Sequence, residues 1–192
     1  MTQARYSTVA ILLHWTIAAL LVLAVGLAWY ADNTDTTAAL QLHKPVGITI
    51  LLLTVIRLGW RLANPAPPLS SHLKPWERFL ARAVHVLFYV LLLALPLSGW
   101  AMVSASKLIT VYPINMFGLF DWPALSFLTN LEPGQRKAVH EAFEAAHHLF
   151  AKIIVYGLIP LHVLGALKHQ ILDKDNELAR MIPFLARKDP IA

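Results

Sequence analysis

Histidine is the residue type in this chain best suited to bind a metal or to carry protons. The chain has nine histidines and no cysteine, which excludes disulfides, thiolate zinc sites, iron–sulfur ligation and covalent haem attachment. His148 and His162 are separated by 14 residues. At 100° per residue, 14 steps fall about 40° short of four turns, so both rings face one side, about 21 Å apart along the axis.

His147 is a rival to His148 for this position. It precedes His162 by 15 residues, which turns its ring about 60° away in the opposite sense. A uniform helix therefore favours His148 slightly, and both alternatives stay open on the sequence.

The composition indicates that these histidines lie in a membrane. Hydrophobic residues make up 57% of the chain and charged residues 14%, whereas soluble domains carry about 25% charged residues. Long charge-poor stretches predict spanning helices of about 20 residues or more. We predict an all-α transmembrane four-helix bundle in a single domain, residues 1–192, with spans at about 7–30, 39–62, 79–103 and 143–172 and an outer connection at 104–139.

The distribution of positive charge predicts the orientation of the bundle. Eleven of the 16 lysines and arginines fall on the side that carries the N-terminus. The positive-inside rule therefore predicts that both termini are cytoplasmic. The net charge is +5. Because the positive charges are concentrated on one side and not scattered evenly, we expect membrane lipid, and no nucleic acid, as the partner of the basic residues.

Depth in the membrane sorts four histidines into two pairs. His43 and His148 lie toward the outer side, and His14 and His162 toward the inner side. Ionisable residues inside a membrane are costly and therefore suggest function. Each pair can place one imidazole on each face of a porphyrin, so we predict two haem b groups with these four residues as axial ligands of the iron. Two irons about 20 Å apart would form an electron relay.

Two further histidines have several interpretations. His85, on the third span near the inner face, is a ligand rival to His14, a propionate partner or a proton donor, and a role other than ligand is favoured. His169 follows His162 by seven residues and shares its face nearer the cytoplasm. It suits a quinone site or an interfacial position without a function. The sequence identifies no catalytic residue.

The histidines stand among motifs that run along nearly the whole chain. These are Tyr6-Ser7, His14-Trp15, His43, Gly47, Arg57-Leu58, Arg61, Asn64-Pro65-Ala66-Pro67-Pro68, His85, Tyr89, Ala94-Leu95-Pro96, Gly99, His148, His162, His169, Lys174-Asp175-Asn176 and Arg180-Met181-Ile182-Pro183. Together they resemble the bacterial cytochrome b561 family, in particular its superoxide:ubiquinone oxidoreductase type.

The resemblance implies an oxidoreductase of the bacterial inner membrane. In that family four histidines ligate two b haems, and by position these are His14, His43, His148 and His162. A ubiquinone-like quinone is implied near the inner haem, with His169 at a matching position. Electrons would pass from an outer donor such as superoxide to the quinone.

Basic residues on the outer side have two interpretations: they steer an anionic donor such as superoxide, or they are ordinary interface residues without a function, which is the favoured interpretation for any one of them. These are Lys44, Lys107, Arg136 and Lys137. One alternative function is a haem b electron-transfer subunit without its own substrate, docked to a dehydrogenase or hydrogenase as its redox partner protein. Another is a protein whose histidines hold a metal ion.

Overall fold

A computed structural model describes residues 5–34, 36–65, 67–68, 73–173 and 178–182. The motif residues Ala66, Lys174, Asp175, Asn176 and Pro183 lie outside these ranges. The described part of the chain is mainly helical, with one short hairpin of two strands.

Four helical rods are long and apolar enough to cross a membrane. They are α1 (Thr8–Thr34), α2 (Thr37–Ala63), α3 (Pro75–Ala105) and a fourth rod that runs from Pro133 to Ile171. The shortest has 27 residues and is therefore about 40 Å long, more than the hydrocarbon thickness of about 30 Å. The predicted all-α fold with four spanning helices is confirmed.

The fourth rod is not a uniform α-helix. It consists of α5 (Pro133–Lys152), a π-helical turn (Ile153–Leu158) and α6 (Ile159–Ile171). Its 39 residues span about 58 Å, which exceeds the hydrocarbon thickness of about 30 Å, and the first half of α5 forms one end of the bundle. We call this the outer end of the bundle, and the end that holds the start of α1 the inner end.

An apolar layer fills the middle of the bundle. Consecutive rods pack against one another, and all four contribute aliphatic side chains to the layer: Ile17, Leu21, Ala24, Val46, Ile50, Leu91, Ile154 and Leu158. Between helices in lipid, van der Waals packing of this kind is a main source of association. The layer separates the inner end from the outer end.

The connection between α3 and α5 folds over the outer end. It contains an antiparallel hairpin of β1 (Ile114–Asn115) and β2 (Asp121–Trp122), followed by α4 (Ser126–Thr129). Ile114 is 1% exposed and packs against Ile48 of α2. This connection therefore covers the end of the bundle.

Candidate functional site

His43 and His147 face each other near the outer end. Their ring centroids are 6.1 Å apart and their planes are inclined by 79°. His43 lies on α2 and His147 on α5, so two different rods supply the outer pair.

Each outer imidazole is held by the backbone of a neighbouring helix. Nδ1 of His43 donates to the carbonyl of Ala24, and Nδ1 of His147 to the carbonyl of Leu95, both at 2.9 Å. A carbonyl oxygen only accepts, so Nδ1 carries the proton in both rings and Nε2 keeps its lone pair. Histidines that bind metals are held in this way, with the second ring nitrogen donating to a carbonyl or carboxylate.

The structure does not bring His148 to His43. The His148 side chain is exposed, and its ring contact within the described ranges is with His147, at a centroid distance of 6.4 Å. The π-helical turn explains the difference from the expectation for a uniform helix. A turn with i→i+5 bonds takes one residue more than an α-turn, so the 15 residues from His147 to His162 rotate the rod as 14 would.

The inner end brings together the predicted pair and its rival. His14 and His162 have ring centroids 6.1 Å apart, with planes at 69°. The ring of His85 lies 5.6 Å from that of His162, and its Nδ1 donates to the carbonyl of Ala81 on its own helix at 2.6 Å. The rings of Phe88 and His162 pack in a T-shaped arrangement with centroids 5.4 Å apart.

Both pairs have the spacing that one iron between two imidazoles requires. A metal–imidazole bond is about 2 Å and the ring centre lies about 1 Å further, so opposite ligands have centroids about 6 Å apart. Over the described ranges, no three His, Asp or Glu side chains are placed to hold one metal ion. At each end, two imidazoles have the 6.1 Å spacing, and two ligands are what a haem iron needs from the protein beside the four nitrogens of its porphyrin.

The apolar layer lies between the two pairs. Along the fourth rod, Ile154 and Leu158 fall between His147 and His162. The rise per residue places the two pairs about 20 Å apart along the axis. Two metal centres held here would be separated by hydrocarbon.

A basic cavity of about 530 Å³ adjoins the inner pair. Its lining includes Ala10, one helical turn before His14, and Nε of Arg57 donates to the hydroxyl of Tyr89 at 3.4 Å. Three arginines line it: Arg5, Arg57 and Arg61. Guanidinium groups suit carboxylates such as haem propionates. The sequence identified Arg57 and Arg61 as motif residues but assigned them no part in a binding site.

His169 belongs to an ion-pair network at the inner end. Its Nδ1 lies 2.7 Å from Oδ2 of Asp173, which also accepts a hydrogen bond from Lys168 at 2.6 Å. Lys168 donates to Glu77 as well, which ties the end of α6 to the start of α3. The hydrogen bond from Lys168, and secondly that from His169, lowers the pKa of the Asp173 carboxyl from its ordinary value.

Most of the outer cations already have structural partners. Lys44 donates to a carbonyl of the outer connection at 2.8 Å. Arg136 donates to the carbonyls of Ala105, the last residue of α3, and of Ser106, which follows it. Lys137 pairs with Glu141 at 3.7 Å. Lys107 is exposed next to the C-terminal end of α3.

Comparisons with known proteins cover nearly the whole chain. Residues 5–184 match the family model described as prokaryotic cytochrome b561. Cytochrome b561 homolog 2 of Escherichia coli (strain K12) is 35% identical over 189 residues, covering 94% of this chain and 93% of that protein. The probable superoxide oxidase CybB of Yersinia pestis is 29% identical over 184 residues, covering 93% and 96%. Cytochrome b561 homolog 1 of Escherichia coli (strain K12) is 27% identical over 186 residues, covering 93% and 97%.

Proposed function

The chain belongs to the prokaryotic cytochrome b561 family, and on this basis we propose that it binds two b haems and carries electrons from an outer donor to a membrane quinone. Membership of the family, with four helices able to span a membrane, makes it a multi-pass haem b electron-transfer protein of the bacterial inner membrane. Its general class is oxidoreductase.

The observation that carries the proposal is the presence of two imidazole pairs with the same spacing at opposite ends of one bundle. Both centroid distances are 6.1 Å, and the apolar layer separates the pairs. A bound haem supplies one-electron redox chemistry at each pair, while the protein supplies ligands, distance and a low dielectric. The pairs would form the two stations of the relay.

The outer haem is assigned to His43 and His147. The hydrogen bonds of both Nδ1 atoms to backbone carbonyls leave Nε2 of each ring for the iron. His147 takes the place of His148, the ligand predicted from the sequence, because the His148 side chain is exposed.

The inner haem is assigned to His14 and His162. Their spacing equals that of the outer pair, whereas His85 lies closer to His162, at 5.6 Å. His85 then lines the haem pocket, with the arginine cavity ready to take the propionates. The inner haem would therefore lie against α1, α3 and α6.

Superoxide is the donor that we propose, because the relative from Yersinia pestis is named a probable superoxide oxidase. Two superoxide ions would each lose one electron at the outer end and leave as dioxygen. The quinone would take up both electrons together with two protons at the inner end. Lys107 is the outer cation best placed to attract the anion, because it is exposed and, unlike Lys137, which pairs with Glu141, it has no ion pair among the described residues.

The quinone would receive its protons beside His169. The imidazole of His169 is joined to Asp173 by a hydrogen bond of 2.7 Å, and an imidazole has one nitrogen that can donate a proton and one that can accept it. This end of the bundle faces the cytoplasm if both termini are cytoplasmic, as the positive-inside rule requires. A C-terminal reporter that fluoresces only in the cytoplasm tests the orientation, and a dark reporter would reverse it.

Two measurements on purified protein test the function. Haem extracted as pyridine haemochrome should amount to two b haems per chain, and one or none would contradict the relay. A pulse of superoxide should reduce the haems within the mixing time, and an added quinone analogue should reoxidise them. Superoxide dismutase, added before the pulse, should abolish the reduction.

A second candidate function is a haem b subunit of a dehydrogenase or hydrogenase complex. Large apolar side chains on the outer connection are exposed and would suit a docked partner protein: Leu108, Val111, Phe117, Leu119, Phe120 and Phe127. Two haems per chain that superoxide fails to reduce would favour this function over the first.

A further inference from the structure

The fourth rod changes its helical type between the two histidine pairs. In the π-helical turn Ile153–Leu158, the N–H of Ile159 bonds to the carbonyl of Ile154, five residues earlier. Pro160 follows directly. It has no N–H to donate to the carbonyl of Tyr156, and its ring would crowd that carbonyl in a regular α-helix. The proline therefore explains why the helix widens at this point.

The surplus residue in this turn changes which histidine faces inward. In a uniform α-helix, His148 would lie about 40° from His162 in projection and His147 about 60° in the other sense. With one residue absorbed by the turn, His147 takes the 40° position and His148 moves to about 140°. The observed orientations agree, because His147 faces His43 while His148 is exposed.

The turn is held in place by the core of the bundle. Ile154 is 0% exposed and Leu158 is 5% exposed, and both belong to the apolar layer. Upstream of the turn, Phe143 packs against a buried cluster formed by Ala101, Ala105 and Leu128. The two halves of the rod are thus fixed separately, and the turn sets the rotation between them.

We propose that this π-helical turn is a register device that selects His147 over His148 as the outer haem ligand. The inference rests on the proposed function, because it takes the imidazole pairs as haem sites. The turn acts through His147, so its residues position the ligand and do not themselves touch the iron.

A one-residue deletion tests the proposal. Deletion of Gly157 in a Pro160→Ala background removes the surplus residue and leaves 14 regular α-helical steps from His147 to His162. This preserves the rotation, so we expect two haems per chain, as in the parent. His147→Ala should remove the outer haem from both parent and deletion variant, and His148→Ala from neither.

A second deletion is the matched control. If Val155 is deleted as well, the rod loses a residue that a regular α-helix needs, because the surplus residue is already gone. The helix upstream of the deletion should then rotate by about 100° relative to His162. The doubly deleted chain should therefore keep one haem, the inner one. Loss of the outer haem after the single deletion, or transfer of the ligand from one histidine to the other, would overturn the proposal.

Cysteine labelling reports the register without haem. The chain has no cysteine of its own, so a single cysteine can be placed at Glu144, which is exposed, or at Phe143, which is partly buried. A water-soluble maleimide should label position 144 and spare position 143 in both parent and single-deletion variant. An altered pattern, or failure of the single-deletion variant to accumulate in the membrane, would count against the proposal. A parent without haem would instead refute the proposed function, and labelling would still report the register.

Discussion

The ring of His147 lies against Gly99: a β-carbon on Gly99 would stand 3.0 Å from Cε1 and 3.1 Å from Nδ1 of the imidazole. The ring has little freedom to move away, because its Nδ1 donates a hydrogen bond to the carbonyl of Leu95, which lies on α3 as Gly99 does. The hydroxyl of Ser98 also lies 3.3 Å from Nδ1. Gly99 therefore provides the space in which the outer imidazole is held.

We expect Gly99→Ala to weaken the outer haem site selectively. The methyl group would displace the ring by a few tenths of an ångström, and disturbed support of a metal ligand typically costs about 10- to 100-fold in affinity. Haem retention during dilution, with a redox titration of each haem, measures the effect. Gly59→Ala is the control, because a β-carbon there meets nothing within 4 Å. Equal haem retention in the two variants would contradict the prediction.

Alanine substitutions should separate the two neighbouring histidines of α5. We expect His43→Ala and His147→Ala each to leave one haem per chain, because each removes one ligand of the same iron. His148→Ala should keep two haems, since its side chain is exposed. Pyridine haemochrome counts decide this. If His147→Ala keeps both haems and His148→Ala loses one, His148 would be the ligand, as a uniform helix predicts.

Alanine substitutions should also show which of His14 and His85 is a ligand of the inner haem. We expect His14→Ala to lose the inner haem and His85→Ala to retain it. The 6.1 Å between His14 and His162 suits opposite ligands, whereas the 5.6 Å of His85 is short for them. Spectra of the reduced variants, together with the haem count, test the prediction. The opposite result would make His85 the ligand.

Asp173 should make the inner end sensitive to acid. Its pKa is lowered in the folded protein, chiefly by the hydrogen bond from Lys168. Its stabilising effect is therefore complete above the ordinary value of about 3.9 and disappears as the pH falls through the lowered value. We expect Asp173→Asn to reduce thermal stability in detergent slightly at pH 7, because exposed ion pairs contribute little.

The difference in midpoint temperature between wild type and Asp173→Asn should narrow as the pH falls from about 5 towards 3. Circular dichroism during heating follows it. A second comparison is between wild type and Lys168→Met, since this substitution removes the largest cause of the lowered pKa of Asp173. A midpoint difference that widens as the pH falls would show that the pKa of Asp173 is not lowered in the folded protein.

The four spans could be predicted because lipid imposes simple rules of length and charge. The proximity of His14 and His162 was also predicted, since depth along a helix is proportional to residue number. The proximity of His147, and not His148, to His43 was not, because it depends on a rotation that differs from a constant 100° per residue. Pro160 was the local signal of the irregular turn.

The contacts that hold the outer connection and form the arginine cavity could not be predicted. The outer connection is fixed in part by the N–H of Leu125, which donates to the hydroxyl of Ser104 at 3.0 Å. The arginine cavity forms where α1 and α2 meet the Pro-rich loop. Neither arrangement follows from a periodicity, because each depends on how separate rods are placed side by side.

The apolar layer has a consequence for energy coupling. Its eight buried side chains are all aliphatic, so they offer a proton no group on which to travel. On the proposed function, each electron crosses unaccompanied and turnover is electrogenic, with negative charge entering a compartment that is already negative. Crossing a full membrane voltage of 100 mV costs about 2.3 kcal/mol per charge. In an energised cell, the membrane voltage would therefore slow electron transfer from superoxide to the quinone, and an ionophore that collapses the voltage would raise its rate.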